Sequence, residues 1–218
     1  MGKYWLIIHF RHFVKHTRSY ILERSLKLFN LNGFVNVRLQ HIADALSISV
    51  GHLAYHFKNK DAIIESLYDQ LKEQQEILLC DFRTAHLFED INLQLQQIFQ
   101  LQKRYLFFYL DTLEVLRAYP AIKEKHRQHI AWQLQQIEWM FEFNHFRGSF
   151  KEISKEGYNN KSAWLLLITM DSWMHGRLIS GLDHLREEDF LHDIWNLLAP
   201  NFTEEGQEEF LLLNKNPH

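Results

Sequence analysis

Apolar residues recur every three or four positions along most of this chain, which places them on one side of an α-helix. The first such stretch runs from Ile21 to Phe29 and stops at Asn32-Gly33, a pair suited to a helix C-terminus. A short helix is predicted around Ile42, and a second one begins at Ser49. A fourth helix is predicted from Asn59 towards Cys80, because the asparagine side chain can cap free backbone amides.

Longer helices are predicted in the rest of the chain. A helical pattern runs from Ile91 to Ala118 and breaks at Tyr119-Pro120, because proline donates no backbone hydrogen bond and disfavours helical geometry in the residue before it. Further helices are predicted over residues 121–146, 162–179 and 187–198 and from residue 203 onward, with a loop over residues 147–160. With only three prolines and eight glycines in 218 residues, the composition also favours an all-α fold.

Charge is unevenly divided along the chain. Residues 1–60 contain nine lysines and arginines against two acidic residues, a net charge of +7. Because the whole chain has a net charge of −3, residues 61–218 carry a net charge of −10. A basic segment joined to an acidic one indicates that the basic segment meets a polyanion, while the acidic remainder is repelled by it. The charge pattern therefore favours nucleic acid as a partner, although an uneven and irrelevant surface charge is the alternative.

The single cysteine, Cys80, has no second cysteine with which to form an internal disulfide, so a reducing cytoplasm is expected. The apolar run Trp5–Phe10 is too short for a signal peptide and is followed by basic residues. No other segment reaches the length of a membrane span. We therefore expect a cytoplasmic protein without membrane contact, in which residues 1–16 form a basic, aromatic N-terminal arm.

Three residues have the spacing of a helix-turn-helix. Ala43 is a small residue in the first short helix, Ser47 lies in the turn four positions later, and Leu53 is an apolar residue six positions beyond. The small residue allows the second helix to cross closely, and Leu53 holds that helix on the core. The free face of the second helix is then available to the major groove of DNA. The helix starts near Ser49, and the residues expected on its free face are Val50, His52, Tyr55 and His56.

On these residues the chain resembles the tetracycline-repressor family of transcription regulators. The resemblance covers Arg18 to Leu67, and its most specific part is the uninterrupted segment Ile48–Asp61. It implies a three-helix DNA-binding head over residues 17–62, continued by a fourth helix into the body. It also implies that the body, residues 63–218, is a variable helical domain that dimerises and encloses an effector pocket.

The sequence departs from the family pattern at three positions. Ala54 stands where the family usually has a tyrosine that contacts phosphate, so Tyr55 or His56 has to replace that contact. Arg38 stands where a serine or threonine usually caps the second helix, and it is expected to reach a phosphate instead. Ser47 replaces a turn glycine, which tolerates left-handed backbone geometry better.

Lys60 opens the fourth helix, where its ammonium and the free backbone amides together form an anion site suited to a phosphate. A solvated lysine is the alternative. Arg11, Lys15 and Arg18 are expected to follow the DNA backbone or to enter the minor groove, and solvated side chains are the alternative. The residues expected to bind DNA are Arg38, Gln40, Ser49, Val50, His52, Tyr55, His56 and Lys60.

The body is rich in aromatic residues, most of which are expected to be ordinary core. Polar groups within apolar helices are candidates for a pocket, because their burial without partners is costly. The effector, an unidentified small molecule, is expected to contact Tyr105, Tyr109, Trp132, Trp139, Asp171 and His175. Two apolar runs, residues 164–174 and 190–198, are candidates for the dimer interface.

Two other functions are alternatives to DNA binding. A helical interaction protein that has lost DNA binding is suggested by Ala54. A metal-dependent enzyme is suggested by Glu142 and His145, which share a helix face, but such a site requires a second Glu-x-x-His pair and two more glutamates. His126 and His129 are expected at the surface. Since no Gly-rich phosphate loop, nucleophile elbow or zinc-type cysteine set occurs in the sequence, we expect no enzymatic activity, no cofactor and no metal.

The sequence thus predicts a homodimer that binds a double-stranded DNA operator. Its two recognition helices are expected to enter successive major-groove faces of a pseudo-palindromic site, roughly 34 Å apart. Effector binding is expected to favour a dimer whose heads are wrongly spaced for DNA, which relieves repression.

Overall fold

The computed structural model describes residues 18–80, 87–151 and 158–215, so the predicted arm over residues 1–16 lies outside the described residues. Within these ranges the chain is helical apart from connecting turns and one isolated bridge between Phe150 and Phe202. The helices are α1 (residues 18–32), α2 (Leu39–Leu46), α3 (Val50–His56), α4 (Lys60–Cys80), α5 (Phe88–Arg104), α6 (Leu106–Leu110), α7 (Thr112–Ala118), α8 (Pro120–Phe146), α9 (Tyr158–Ile179), α10 (Glu187–Leu198) and α11 (Glu204–Lys215), with a 3-10 turn at Ala199–Asn201. The all-α prediction is confirmed. None of the described helices is both long and apolar enough to cross a membrane.

The prediction of one helical run from Ile91 to Ala118 was wrong, because the structure divides this segment into α5, α6 and α7. The backbone leaves helical geometry at Tyr105 and again at Asp111. At the first break, Asn30 of α1 donates to the Arg104 carbonyl at 2.8 Å and accepts from the Phe107 amide at 3.0 Å. A side chain distant in sequence thus satisfies backbone groups that the interrupted helix leaves free.

Pro120 begins a helix as well as ending the one before it. Proline suits the first helical position, because the amide that it lacks has no partner within the helix there. The predicted boundaries of α10 and the predicted start of α11 after Thr203 agree with the structure. The loop predicted up to residue 160 is shorter than expected, since α9 begins at residue 158.

Two apolar cores are stacked along the molecule, and α4 contributes to both. The first core joins α1–α3 to the first half of α4 and to α6 and α7, with the rings of Phe29 and Phe107 5.4 Å apart. The second core is formed by α5 and α8–α11 and includes Leu79 near the end of α4. The head therefore packs directly on the body, beyond the covalent connection through α4. The boundary assigned between residues 62 and 63 stays a prediction.

Helix α11 is held against the turn after α8 by its first residues. The Thr203 hydroxyl accepts from the Gly206 amide at 3.1 Å and donates to the Gly148 carbonyl at 2.5 Å, while the Thr203 amide donates to the Ser149 carbonyl oxygen at 3.0 Å. A Cβ atom added to Gly206 would lie 2.1 Å from that carbonyl oxygen. Only glycine therefore allows the helix to approach so closely.

The substitution Gly206→Ala is expected to destabilise the protein by about 2 kcal/mol, because the clash is with backbone that has to shift. Gly51→Ala is the matched control, since the nearest atom to its added Cβ lies at an ordinary 3.9 Å. The control is expected to be neutral or stabilising by up to about 1 kcal/mol. Urea unfolding followed by circular dichroism measures both values, and equal effects would contradict the close approach.

Candidate nucleic-acid interface

The turn between α2 and α3 has the geometry that the helix-turn-helix spacing predicts. Ala43 and Leu53 are fully buried where the two helices meet. Ser47 adopts left-handed backbone geometry, with φ 55° and ψ 40°. The amides of Ser47 and Ile48 donate to the Asp44 and Ala43 carbonyls, each at 3.0 Å. These bonds fix the angle between the two helices, because they satisfy backbone groups at the end of α2.

Both ends of α3 are anchored by side chains. At its start, the Ser49 hydroxyl accepts from the His52 amide at 3.0 Å, as an N-cap does. At its end, Arg18 of α1 donates to the His56 carbonyl at 2.7 Å, and its guanidinium lies 4.1 Å from the centre of the Phe57 ring. Arg18, for which the sequence left DNA contact and solvation open, thus fixes the end of α3, the predicted recognition helix.

The outer face of α3 carries aromatic and imidazole groups that project from the head. Tyr55 is 73% exposed, and its ring meets that of His56 edge to face at a centroid distance of 5.2 Å. The His52 ring lies 5.4 Å from that of His56. Burial lowers the pKa of His56, and the neighbouring His52 and Arg18 lower it further. A neutral imidazole offers one donor and one acceptor, which suits recognition of base edges.

The two candidates at α2 are both exposed. The Gln40 amide donates to the Asp44 carboxylate at 2.6 Å, one turn further along the helix. The backbone amide of Arg38 donates to His41 Nδ1 at 3.3 Å. The guanidinium of Arg38 contains only hydrogen-bond donors, so it cannot accept from the free amides at the start of α2 as a cap does. It remains available to donate to a phosphate.

Lys60 is more enclosed than the sequence suggested. Its ammonium donates to the Phe34 carbonyl and lies 5.4 Å from the Phe34 ring centre and 5.9 Å from that of Phe29. Burial lowers the pKa of Lys60. An ammonium has three donors, so this bond does not prevent a second contact with phosphate. The part of Lys60 in DNA binding stays a prediction.

Lys58 was missed by the sequence interpretation. It is exposed in the turn between α3 and α4, and no described residue pairs with it. Next to it, Asn59 caps α4 by accepting from the Ala62 amide at 3.0 Å. The signal that could have identified Lys58 is its position just after α3, the predicted recognition helix.

Three of the six predicted effector residues line one cavity of about 340 Å³ in the body, between α4, α6, α7, α8 and α9. They are Tyr109, Asp171 and His175. The Tyr109 hydroxyl accepts from Gln75 of α4 at 2.8 Å. Burial raises the pKa of the Asp171 carboxyl to about 7. A smaller internal void adjoins this cavity and shares Gln75, Tyr109 and Asp171 with it.

The other three predicted effector residues do not line this cavity. Tyr105 is buried, and its hydroxyl accepts from Gln74 at 3.1 Å. Trp132 stacks on the His129 ring at 5.5 Å. Trp139 is partly buried elsewhere on α8. The structure therefore separates the aromatic residues of the body into core residues and cavity residues, a distinction that spacing alone does not make.

The expectation that His126 and His129 lie at the surface was wrong, because α8 packs both against α4. His129 is buried, lies 2.9 Å from the Gln75 side-chain oxygen, and has its pKa lowered to about 4 by burial. His126 lies 3.3 Å from the Tyr68 hydroxyl. The pair considered for a metal site, Glu142 and His145, is exposed, and no cluster of three potential metal-ligating side chains occurs among the described residues.

Two family sequence models match the chain. One, described as bacterial regulatory proteins of the tetR family, matches residues 21–67. The other, described as a bacterial transcriptional repressor, matches residues 70–210. Together the two matches cover the head and almost the whole described body.

Two curated relatives resemble the head alone. A probable HTH-type transcriptional regulator of Bacillus subtilis, YttP, is 33% identical over 57 residues, which are 26% of this chain and 28% of that protein. The Escherichia coli HTH-type regulator UidR is 34% identical over 67 residues, 31% of this chain and 33% of that protein. The chain thus aligns with about a third of the length of these relatives.

Solved structures extend the similarity to the body. A TetR-family transcriptional regulator from Marinobacter aquaeolei has a TM-score of 0.83 and 27% identity, and the match covers 91% of this chain and 97% of that one. A transcriptional regulator from Saccharomonospora viridis, solved with choline, has a TM-score of 0.68 and 19% identity, with 87% and 99% covered. The second similarity concerns the fold only.

Replacing Ser47 by glycine is expected to stabilise the protein by about 1 kcal/mol, because a left-handed backbone is strained for every residue with a Cβ atom. The matched control is Ser172→Gly, at an exposed position in the regular helix α9. That substitution is expected to destabilise by about 0.5 kcal/mol. Thermal unfolding measures both changes, and a loss of stability in both variants would show that Ser47 is not strained.

Proposed function

Because this chain belongs to the tetracycline-repressor family of bacterial transcription regulators, we propose that it binds a DNA operator as a homodimer and releases it when a small molecule occupies the body. The observation that carries the proposal is the anchored α3, whose outer face projects Tyr55 and His52 away from the head. A helix held at both ends reaches a groove with little loss of conformational entropy.

On the DNA side, α3 enters the major groove. His52, Tyr55 and His56 contact base edges, and Val50 offers an apolar contact to a thymine methyl. Phosphate contacts come from polar groups around α3 and hold the head in register. The groups proposed for this are Arg38, Gln40, Ser49, Lys58 and Lys60. These groups make the phosphate contact that the family's usual tyrosine makes and that Ala54 does not provide.

Dimerisation is proposed through α9. Trp164, Leu165 and Ile168 form an apolar patch on its outer face, which we call the α9 patch; they are 43%, 56% and 42% exposed. The second candidate of the sequence, residues 190–198, contributes its apolar side chains to the chain's own core. Its outward residues are polar, so α9 is the better candidate. Apolar side chains clustered on one exposed helix face are typical of a protein interface.

Communication between the body and the head is proposed to pass along α4. Gln75 of α4 lines the cavity and donates to Tyr109, while Lys60 lies at the other end of the same helix beside α3. Fifteen residues of continuous helix separate the two by about 22 Å. A ligand that displaces Gln75 shifts a rigid element, so the position of the head follows the state of the cavity.

Tyr55→Ala is expected to weaken operator binding about tenfold or more, through loss of a contact in the centre of the recognition face. The control is Phe146→Ala, which removes an aromatic side chain that is 92% exposed on the body. Fluorescence anisotropy with DNA selected from random sequence measures both, at several salt concentrations. Binding by the intact protein that is indifferent to salt, or no binding at all, would contradict the proposal, because phosphate neutralisation releases counterions.

Ile168→Arg is expected to convert the dimer to a monomer, because a guanidinium at the centre of an apolar interface is left unpaired. The matched control is Leu93→Arg, at a position of similar exposure on α5. Sedimentation velocity distinguishes the two forms. If the intact protein is a monomer, or if both variants remain dimeric, the α9 patch is not the interface.

A further inference from the structure

The walls of the 340 Å³ cavity carry an unbalanced charge. Three of its lining residues, Asp111, Glu114 and Asp171, have carboxyl groups, and none is a lysine or arginine. Two histidines are present, and burial lowers the pKa of one of them, His126. The remaining walls are largely apolar or aromatic. The size lies within the range of cavities that bind small organic molecules, about 300–1,000 Å³.

Asp171 differs from the other enclosed carboxylates of the body. Glu209 is paired with Arg147 at 2.8 Å, and Asp189 is paired with Arg177 at 2.6 Å. No described residue forms a hydrogen bond or an ion pair with Asp171, which lies at the junction of the cavity and the internal void. The Asp171 side chain is partly buried and has no counter-charge from the described part of the chain, so it is available to a cation that comes from outside the chain.

One unsatisfied group close to this carboxylate is also an acceptor. Gln102 lines the adjoining void, and its side-chain oxygen accepts no hydrogen bond within the described part of the chain. The Tyr109 hydroxyl accepts from Gln75 and keeps its own proton to donate. A ligand that bonds to the Asp171 carboxylate and to the Gln102 oxygen therefore has to bring hydrogen-bond donors.

We propose that the effector is a protonated amine, whose N–H groups bind the Asp171 carboxylate while its apolar part packs against Phe108 and Leu113. The inference rests on the proposed function for the existence of an effector, and it adds the chemical class of that effector. The aromatic ring of Phe108 suits this class too, since an ammonium is attracted to an aromatic face. A positive charge inside the cavity also offsets part of the negative charge of the three carboxyl groups in its walls.

Binding of such a ligand depends on pH. The titratable groups that line the cavity together with Asp171 are Tyr109 from α6, Asp111 from the turn before α7, Glu114 from α7, His126 from α8 and His175 from α9 itself, while α4 presents the uncharged Gln75. The pKa of Asp171 is raised to about 7 by burial, so the carboxyl is neutral below that pH and attracts a cation above it. Affinity is therefore expected to rise from pH 6 to pH 8 and to fall about tenfold per pH unit well below 7.

The test uses four probes of similar shape, titrated into the full-length protein without DNA by isothermal calorimetry at pH 8. They are benzylamine, benzyl alcohol, benzoate and benzyltrimethylammonium. Benzylamine is expected to bind about tenfold or more tightly than the neutral alcohol, because a charged hydrogen bond replaces a neutral one. Benzoate is expected not to bind. Equal or tighter binding of the alcohol, of benzoate or of the quaternary cation, which has no N–H group, would overturn the proposal.

Asp171→Asn isolates the carboxylate. The variant is expected to lose the preference for benzylamine over benzyl alcohol and the rise in affinity between pH 6 and pH 8. Asp183→Asn, at an exposed position outside the helices, is the control and is expected to keep both. A preference that persists in Asp171→Asn would assign cation binding to the other carboxyl groups and overturn the role of Asp171.

A measurement on the unchanged protein covers the case of a variant that does not fold. At pH 7, benzylamine binding is expected to release about half a proton per site, seen as a dependence of the calorimetric heat on the ionisation enthalpy of the buffer. Binding without proton release would overturn the proposal.

DNA binding is measured separately, so that the two proposals can fail independently. If the protein binds DNA but prefers the alcohol, the proposed effector class is wrong and the proposed function stands. If it binds the amine but no DNA, the proposed regulatory function is wrong.

Discussion

Helix α4 is the element on which the rest of the structure depends, because it contributes side chains to both apolar cores. Ile63, Ile64 and Leu67 lie in the core of the head, and Leu79 lies in that of the body. Between these apolar groups α4 carries polar side chains that bond to α6 and α8. Any shift of α4 along its axis therefore changes the packing of the head and the hydrogen bonds of the body together.

The polar interior of the body follows from that arrangement. Gln75 bonds to Tyr109 and lies within hydrogen-bond distance of His129, and Tyr68 lies against His126, so α4, α6 and α8 are joined by specific partners as well as by apolar contact. Such groups lose hydration on burial and return little net stability when paired. Their value lies in specificity: a network of this kind permits few arrangements, and a ligand that replaces one bond selects another arrangement.

The head shows the opposite design, in which specificity lies at its surface. Its interior is apolar apart from Ser25, and hydrogen bonds at Ser49, at Asn59 and from Arg18 serve the ends of its helices. Because these bonds hold α3 from both ends, the side chains of its outer face need no role in folding. Tyr55 and His52 remain available for DNA, and substitutions there can change the operator sequence without a large effect on stability.

The helical class, the helix-turn-helix and the outward face of its second helix were predictable from the sequence, because these features depend on local spacing, capping and helix periodicity. Which polar residues of the body meet depends instead on how the helices pack in three dimensions. Asn30, distant in sequence, divides the run from Ile91 to Ala118 and satisfies its backbone. Contact with α4 buries His126 and His129. Tyr109 and Asp171 share a cavity that Tyr105 does not reach, since periodicity fixes the face of a helix but not the neighbour against which that face packs.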